Sequence, residues 1–214
     1  MRTFEYRFHF ALALATVLCG GPSLACEPPA GFVNPPRPDI APLDELVSHT
    51  EQKEIPQSLA AATQSASRAL RIDATKDLAG VTGTFRLSNG PYGSVGARRL
   101  VCKTDGAIAV EEVLLTESGE DFRRFRYVVW NSTSPKFRDV EYAVGEFVRT
   151  QIAPERTRID WTYRFALKKG LSSEERTRFQ KAFLEREFAL WMRTQLDREE
   201  SKPELEPSRQ PLGG

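Results

Sequence analysis

The chain has 214 residues, 30 basic and 29 acidic side chains, 40% hydrophobic residues and three cysteines. This even balance of charge argues against a nucleic-acid-binding protein, whose affinity rests on excess Lys and Arg facing phosphates. The length suits one domain with tails.

The first 25 residues have the pattern of a secretory signal. Arg2 and Arg7 precede an apolar run over residues 8–18, which is too short to cross a bilayer as a helix. Ser23 and Ala25 supply the small residues that a signal-peptidase site requires. We therefore predict cleavage after Ala25 and a periplasmic or secreted protein, with a buried or amphipathic N-terminal helix as the alternative. No later segment is long and apolar enough to span a membrane.

Two cysteines remain after this cleavage, Cys26 and Cys102. Export makes a disulfide between them chemically possible, but the sequence does not place their Cα atoms within reach. We favour a buried, inert Cys102. Because Cys26 directly follows the cut, a lipid tether to the membrane is a further alternative, although Ser23 stands where lipoprotein signals normally carry Leu.

Pro-rich or polar tails flank the predicted domain. Residues 26–43 hold six prolines, which exclude a helix or a central strand, so we expect an extended leader. Residues 199–214 are polar and rich in proline, which predicts a disordered tail. The folded domain is expected over residues 44–198.

The predicted elements come in the order strand, helices, strands and one long helix. A strand over 46–54 precedes a helix over 57–72 and a short helix over 73–78. Six further strands are expected at 81–87, 97–103, 107–115, 122–130, 139–148 and 157–167. Their short connections require antiparallel pairing, and Asp105-Gly106 is the strongest hairpin signal. A last helix, capped by Ser172 or Ser173, runs to about residue 198 with a broad apolar stripe.

This order predicts an α+β fold in which helices cover one face of a curved sheet. The stretches "VGARRLVCKTDGAIAVEEVL" (95–114), "FRYVVWNSTSP" (125–135) and "TRIDWTYRFAL" (157–167) resemble the polyketide cyclase/dehydrase-like branch of the START-like, or Bet v 1-like, superfamily (SRPBCC). The resemblance implies a helix-grip fold, in which the sheet wraps around the C-terminal helix and leaves an apolar cavity. It also implies a small hydrophobic ligand, such as a lipid or a polyketide-like molecule.

Strand alternation selects the residues that would line this cavity. In 157–167 one face is apolar and aromatic and the other is polar, which is typical of a half-buried strand. In 122–130 we choose the face with fewer charges, although a shift of one residue would reverse the choice. The predicted lining is Phe125, Tyr127, Val129, Tyr142, Val144, Ile159, Trp161, Tyr163, Phe165, Phe179 and Phe183. A fully packed core without a ligand is the alternative.

Little in the sequence points to catalysis. One histidine, His49, remains after cleavage, so neither a nucleophile–histidine pair nor a zinc site has enough residues, and we expect no metal and no cofactor. "GPYGSVG" (90–96) lacks the spacing of a dinucleotide fingerprint and reads as a turn or as a flap over the cavity. Glu111 and Glu112 are adjacent on a strand, so one of them should face the cavity. That carboxylate could act as an acid or base, or could pair with Arg98 or Arg99.

Three functions remain open from the sequence. The first is an exported binding protein for a small hydrophobic molecule. The second is a cyclase or dehydratase that uses Glu111 or Glu112 together with a buried tyrosine. The third is a ligand-free interaction module that works through its surface or its Pro-rich tails.

Overall fold

The computed structural model of the protein describes residues 26–68 and 72–200. The strands in these residues are β1 (Val47–Ile55), β2 (Val81–Arg86), β3 (Arg98–Lys103), β4 (Ile108–Ser118), β5 (Phe122–Trp130), β6 (Val140–Ala153) and β7 (Arg156–Leu167). Helix α1 spans Leu59–Arg68, and one C-terminal helix runs through Ser173–Arg178, Phe179–Phe188 and Ala189–Glu200. The predicted signal and residues 201–214 of the predicted tail lie outside the described residues.

The seven described strands form one antiparallel sheet in the order β1-β7-β6-β5-β4-β3-β2. Strands β2 to β7 are neighbours in sequence order because their connections are too short for a parallel crossover. The Asp105-Gly106 turn joins β3 to β4: Gly106 has a φ of +80°, and Asp105 accepts a hydrogen bond from the Ala107 N–H at 3.1 Å. The predicted α+β, helix-grip architecture is confirmed, with the C-terminal helix on the concave face of the sheet.

The short helix predicted over 73–78 is wrong. This segment is a narrow loop, closed by hydrogen bonds from Val81 N–H to Ile72 O at 2.7 Å and from Thr75 N–H to Leu78 O at 2.8 Å. The side chain of Gln195, on the C-terminal helix, bonds both the N–H and the C=O of Asp73. These tertiary contacts satisfy backbone groups that a helix would otherwise have used. Residues 69–71, in the last part of the predicted first helix, lie outside the described residues.

The C-terminal helix is π-helical in its middle stretch, Phe179–Phe188. There the Ala189 N–H reaches back to Leu184 O, five residues earlier, as the wider winding of a π-helix requires. The buried residues of the stretch are Phe179, Phe183, Leu184 and Phe188. The three phenylalanines are spaced four and five residues apart, which exceeds the 3.6 residues of an α-helical turn, so an α-helix would rotate some of these rings away from the sheet. The π winding keeps all of them on the face that packs against the strands.

The central strands are buried on both faces. A first cluster on the concave side joins Tyr127, Trp161 and Tyr163 to the C-terminal helix. A second cluster on the convex side contains Val128 and Trp130. Because neighbouring residues on a strand point to opposite faces, "YVVW" (127–130) is apolar at consecutive positions where both faces are covered.

The leader covers the convex face. Phe32, Ile40 and Leu43 pack against the convex cluster, and a disulfide joins Cys26 to Cys102 of β3 with a Cα–Cα distance of 5.6 Å. Our prediction from the sequence that Cys102 is buried and inert is therefore wrong. The sequence could not bring together two cysteines 76 positions apart, since their proximity depends on how the leader crosses the sheet.

Candidate functional site

The inward face of β7 carries the aromatic residues predicted from the sequence. Ile159, Trp161, Tyr163 and Phe165 are all buried in the concave cluster. Their rings touch the C-terminal helix directly. The ring centroids lie 5.4 Å apart for Trp161 and Trp191, 4.9 Å for Tyr163 and Phe188, and 5.4 Å for Phe165 and Phe179. On this side of the interior, aromatic rings fill the space between sheet and helix.

The structure confirms the chosen register of β5. Phe125, Tyr127 and Val129 pack with the concave cluster, whereas Val128 and Trp130 belong to the convex one. On the C-terminal helix, Phe179 and Phe183 are buried in the same concave cluster. The structure therefore brings nine of the eleven predicted lining residues together.

The two remaining predicted residues, Tyr142 and Val144, are on the wrong face. They lie in the convex cluster, and the Tyr142 hydroxyl accepts a hydrogen bond from the Ala41 N–H of the leader at 2.9 Å. Pairing with the neighbouring strands explains this placement, because Val144 lies opposite Val128 and Arg164, which also face outward. The inward residues of β6 are the small Ala143 and Gly145, followed by Phe147. The sequence analysis favoured bulky residues and therefore assigned the outward-facing residues of β6 to the interior.

A pair of tyrosine hydroxyls lies inside the aromatic cluster. Tyr127 Oη and Tyr163 Oη are 2.7 Å apart, and both side chains are buried. Burial raises the pKa of both phenols well above the usual value of 10.0, so both remain protonated at physiological pH. Only one of the two protons can lie between the two oxygens. The other hydroxyl proton has no acceptor among the described residues.

Gly145 makes room for this pair. A Cβ at this position would lie 2.4 Å from Cζ and 2.6 Å from Oη of Tyr127. Tyr127 and Gly145 are directly paired across β5 and β6, so the missing side chain creates the space that the tyrosine ring occupies. The sequence signal for this arrangement is a glycine inside an apolar strand, which indicates close approach by a neighbouring group.

The second polar group of the interior is built around Glu111. Its Oε2 accepts hydrogen bonds from Arg99 Nε at 2.5 Å and from the Tyr92 hydroxyl at 3.0 Å, and the Arg99 guanidinium lies 3.6 Å from the centre of the Tyr92 ring. Burial acts to lower the pKa of Arg99, but the neighbouring Glu111 carboxylate raises it above its usual value. Burial, followed by the charge of Glu111, raises the pKa of Tyr92. The group is a neutralised, hydrogen-bonded unit in the concave side of the sheet.

Tyr92 reaches Glu111 because the 90–96 loop folds back over the sheet. Gly93 and Gly96 adopt positive φ angles of +121° and +83°, and Thr116 of β4 donates a hydrogen bond to Gly93 O at 2.7 Å. The Tyr92 ring also meets Phe125, with centroids 6.0 Å apart. The segment that we read as a turn or flap therefore covers the interior next to β4 and β5. Its tyrosine was missed in the sequence because no spacing connects it to Glu111.

Glu112 points to the opposite face, as expected for its position next to Glu111. Its carboxylate binds Arg98 Nε at 2.5 Å and Arg37 Nη1 of the leader at 2.8 Å. Of the two acidic candidates, only Glu111 therefore shares the interior with the tyrosine pair.

Lys103 is a half-buried cation that the sequence analysis missed. It lies on the same face of β3 as Arg99, with Nζ 4.5 Å from the centre of the Phe137 ring and 3.4 Å from Ser132 Oγ. Burial lowers the pKa of its ammonium group. A lysine at the end of a strand resembles an ordinary surface residue in sequence, because its burial depends on the short Pro135–Phe137 turn folding over it.

Other site types find no support in the described part of the chain. Within residues 26–68 and 72–200, no group of three or more His, Cys, Asp or Glu side chains is placed to hold a metal ion. His49, considered for such a site, is instead bonded to Glu51 at 2.7 Å. Among the same residues, no helix has the length and apolar character needed to cross a membrane.

Comparison with solved structures gives the class of fold. A hypothetical protein from Helicobacter pylori matches 79% of this chain and 98% of its own, with a TM-score of 0.54 and 11% identity. The Zhui aromatase/cyclase from a Streptomyces species matches 72% and 94%, with a TM-score of 0.52 and 15% identity. Ara h 8.0201 matches 73% and 99%, with a TM-score of 0.50 and 12% identity.

The chain therefore has the helix-grip fold that the sequence resemblance implied. No protein-family model and no curated protein matches its sequence. At identities this low, the likeness establishes the fold and leaves the activity to be argued from the site.

The fit of Tyr127 against Gly145 generates a prediction. We expect Gly145→Ala to destabilise the protein by about 1–3 kcal/mol, because the new Cβ overlaps the Tyr127 ring and forces it to shift. Urea unfolding would measure the loss. In a Tyr127→Leu background the same substitution should cost clearly less, since the overlapping ring is gone. Equal costs in the two backgrounds would contradict the assigned contact.

Proposed function

We propose that the protein binds a small hydrophobic molecule between the sheet and the C-terminal helix. The observation that carries this proposal is the buried tyrosine hydroxyl pair inside an otherwise aromatic interior. Pockets for such molecules are mostly apolar, with a few polar groups that fix the orientation of the ligand. A core that served packing alone would gain nothing from a hydroxyl proton without an acceptor, because burying such a group costs free energy.

A ligand needs part of the interior to move. The β7 rings touch the C-terminal helix, so a ligand takes its place when the helix or the 90–96 loop moves aside. The loop is the smaller element: Val95 at its tip is exposed, and Thr116 holds it through the Gly93 carbonyl. Loop rearrangements of this size are common in binding.

The interior also indicates the chemistry of the ligand. Trp191 Nε1 is buried without a hydrogen-bond acceptor among the described residues, and one proton of the Tyr127–Tyr163 pair is equally free. Glu111 and Arg99 neutralise each other and offer no net charge to an ionised ligand. We therefore propose a neutral ligand with at least one hydrogen-bond acceptor, such as a carbonyl or ether oxygen on an apolar frame.

Binding can be tested with ligands that differ in one oxygen. An aromatic ketone should bind more tightly than the hydrocarbon of the same shape, and more tightly than the matching carboxylate. The double substitution Tyr127→Phe/Tyr163→Phe should lower the affinity for the ketone by about three- to tenfold and leave the affinity for the hydrocarbon unchanged, since it removes only the hydroxyls. Isothermal titration calorimetry gives both affinities.

Tyr142→Phe is the matched control, because this tyrosine lies on the convex face. It should change neither affinity. The proposal fails if the protein purified from its own host carries no apolar molecule in native mass spectrometry and binds none of the three probes.

A second candidate function is a cyclase or dehydratase. The observation in its favour is the Tyr92–Glu111 hydrogen bond within the same interior, which could move protons on a bound substrate. This hypothesis predicts that Glu111→Gln and Tyr92→Phe lower turnover of an aromatic polyketide mimic by about 10²–10⁴-fold. Glu112→Gln, on the convex face, should leave turnover intact. Circular dichroism would confirm that the variants fold, and a lack of turnover by the unaltered protein would contradict the hypothesis.

We propose that the protein is exported to the periplasm or secreted. The predicted signal ends one residue before Cys26, and the Cys26–Cys102 disulfide is of the kind that forms in oxidising compartments. A sulfur in a disulfide cannot carry a lipid, so the bond also favours ordinary cleavage over a membrane tether. The third hypothesis, an interaction module, relies in part on a Pro-rich leader that is available to a partner. The leader instead packs against the convex face of its own domain, which makes this hypothesis the weakest of the three.

A further inference from the structure

The leader lies on the convex face without joining the sheet as a strand. Among the described residues, its backbone forms a hydrogen bond within the leader itself, from Phe32 N–H to Pro29 O at 2.9 Å, and none to the backbone of a strand. Its six prolines have no N–H with which to form a ladder. Side chains and the disulfide must therefore hold the leader in place.

The polar contacts between leader and sheet are few. Arg37 binds Glu112 at 2.8 Å, Ala41 N–H donates to the Tyr142 hydroxyl at 2.9 Å, and Arg98 reaches Pro35 O at 3.3 Å. The Arg37 side chain is 46% exposed, so solvent screens its ion pair and leaves it a small contribution. These contacts alone bind a flexible segment weakly, because ordering it costs conformational entropy at each residue.

Below the leader lies an apolar surface that water would otherwise reach. Leu100, Val128 and Val144 are 0% exposed, and Trp130 is 6% exposed, in the convex cluster. Phe32, Ile40 and Leu43 of the leader are only partly buried against them. Closing the leader over the sheet therefore removes apolar surface from water on both sides of the contact.

The disulfide attaches the start of the leader, at Cys26, to Cys102 of β3. Cys26 and Cys102 are both partly exposed, so a reductant can reach the bond. Gly83 of β2 lies beside it, and a Cβ there would meet Cys26 Cβ at 3.1 Å, so the edge strand leaves room for the crossing. The chain already joins the leader to β1 at one end, and the disulfide ties its other end to β3, so the bond lowers the conformational entropy of the open leader and raises the effective concentration of its weak contacts.

We infer that the leader is a redox-released strap: the Cys26–Cys102 disulfide holds it closed over the convex face, and reduction of the bond opens it. A dithiol reductant supplies the electrons. One of its thiolates attacks a disulfide sulfur to give a mixed disulfide and one protein thiol, and its second thiol then releases the other protein thiol. The reductant leaves as a disulfide. The opened strap exposes the apolar surface around Val128 and Trp130 to solvent.

Amide hydrogen exchange of the mature chain, followed by NMR with and without dithiothreitol, tests this inference. The Ala41 amide reports directly on the closed strap, because its acceptor is Tyr142 on the sheet. We expect reduction to abolish the protection of Ala41 while the amides of β6 and β7 stay protected. Binding of the dye anilinonaphthalene sulfonate should rise at the same time.

Two results would overturn the inference. If Ala41 stays protected after reduction, side chains alone hold the strap. If β6 and β7 lose protection together with Ala41, the disulfide is a staple for the whole domain.

Two variants sharpen the test. Cys102→Ser should show the open strap without reductant and should not respond to dithiothreitol. Arg37→Gln removes a side-chain contact but keeps the disulfide, so its strap should stay closed until the protein is reduced. A strap that opens in oxidised Arg37→Gln would show that the ion pair, and not the disulfide, is the lock, and would also overturn the inference.

Discussion

The burial of the central strands on both faces is the constraint on which the rest of the structure depends. A sheet with two apolar faces must be covered twice, since each exposed face would leave aromatic and branched side chains in water. The C-terminal helix covers the concave face and the leader covers the convex one. The two covers differ in strength, because the helix contributes an array of rings while the leader contributes a few side chains and one covalent bond.

The sequence predicts the sheet well because its information is local. Alternation in β7, the Asp105-Gly106 turn and short connections are sufficient for the strands and their antiparallel pairing, whereas the helix-grip class was implied by the family resemblance. The predictions that failed depend on distant contacts. Gln195 determines the conformation at Asp73, and the path of the leader brings Cys26 to Cys102. No local pattern contains that information.

The sequence identifies the inward-facing residues of a strand correctly where the other face is polar. It fails where both faces of the strand are apolar. In β7 the outward residues are charged or polar, so the inward face is easy to identify. In β6, Tyr142 and Val144 are as apolar as the residues that face inward. Their larger side chains led us to choose them as the inward-facing residues, which was wrong. The deciding residue is Gly145, whose lack of a side chain matches Tyr127 on the neighbouring strand. A glycine opposite a tyrosine is a cross-strand signal, and it becomes readable only when the pairing of β5 and β6 is known.

The distribution of hydrogen bonds in the interior favours binding over catalysis. Glu111 Oε2 already accepts bonds from Arg99 and Tyr92, so a proton transfer would have to break a buried, charge-assisted contact. Removing one member of a buried ion pair costs about 3–5 kcal/mol, which makes a structural role sufficient to explain the pair. The tyrosine pair has no such explanation, because its spare proton is buried among rings that cannot accept it well. A ligand oxygen at that point would satisfy the proton and give the hydroxyl pair a purpose that packing alone does not supply.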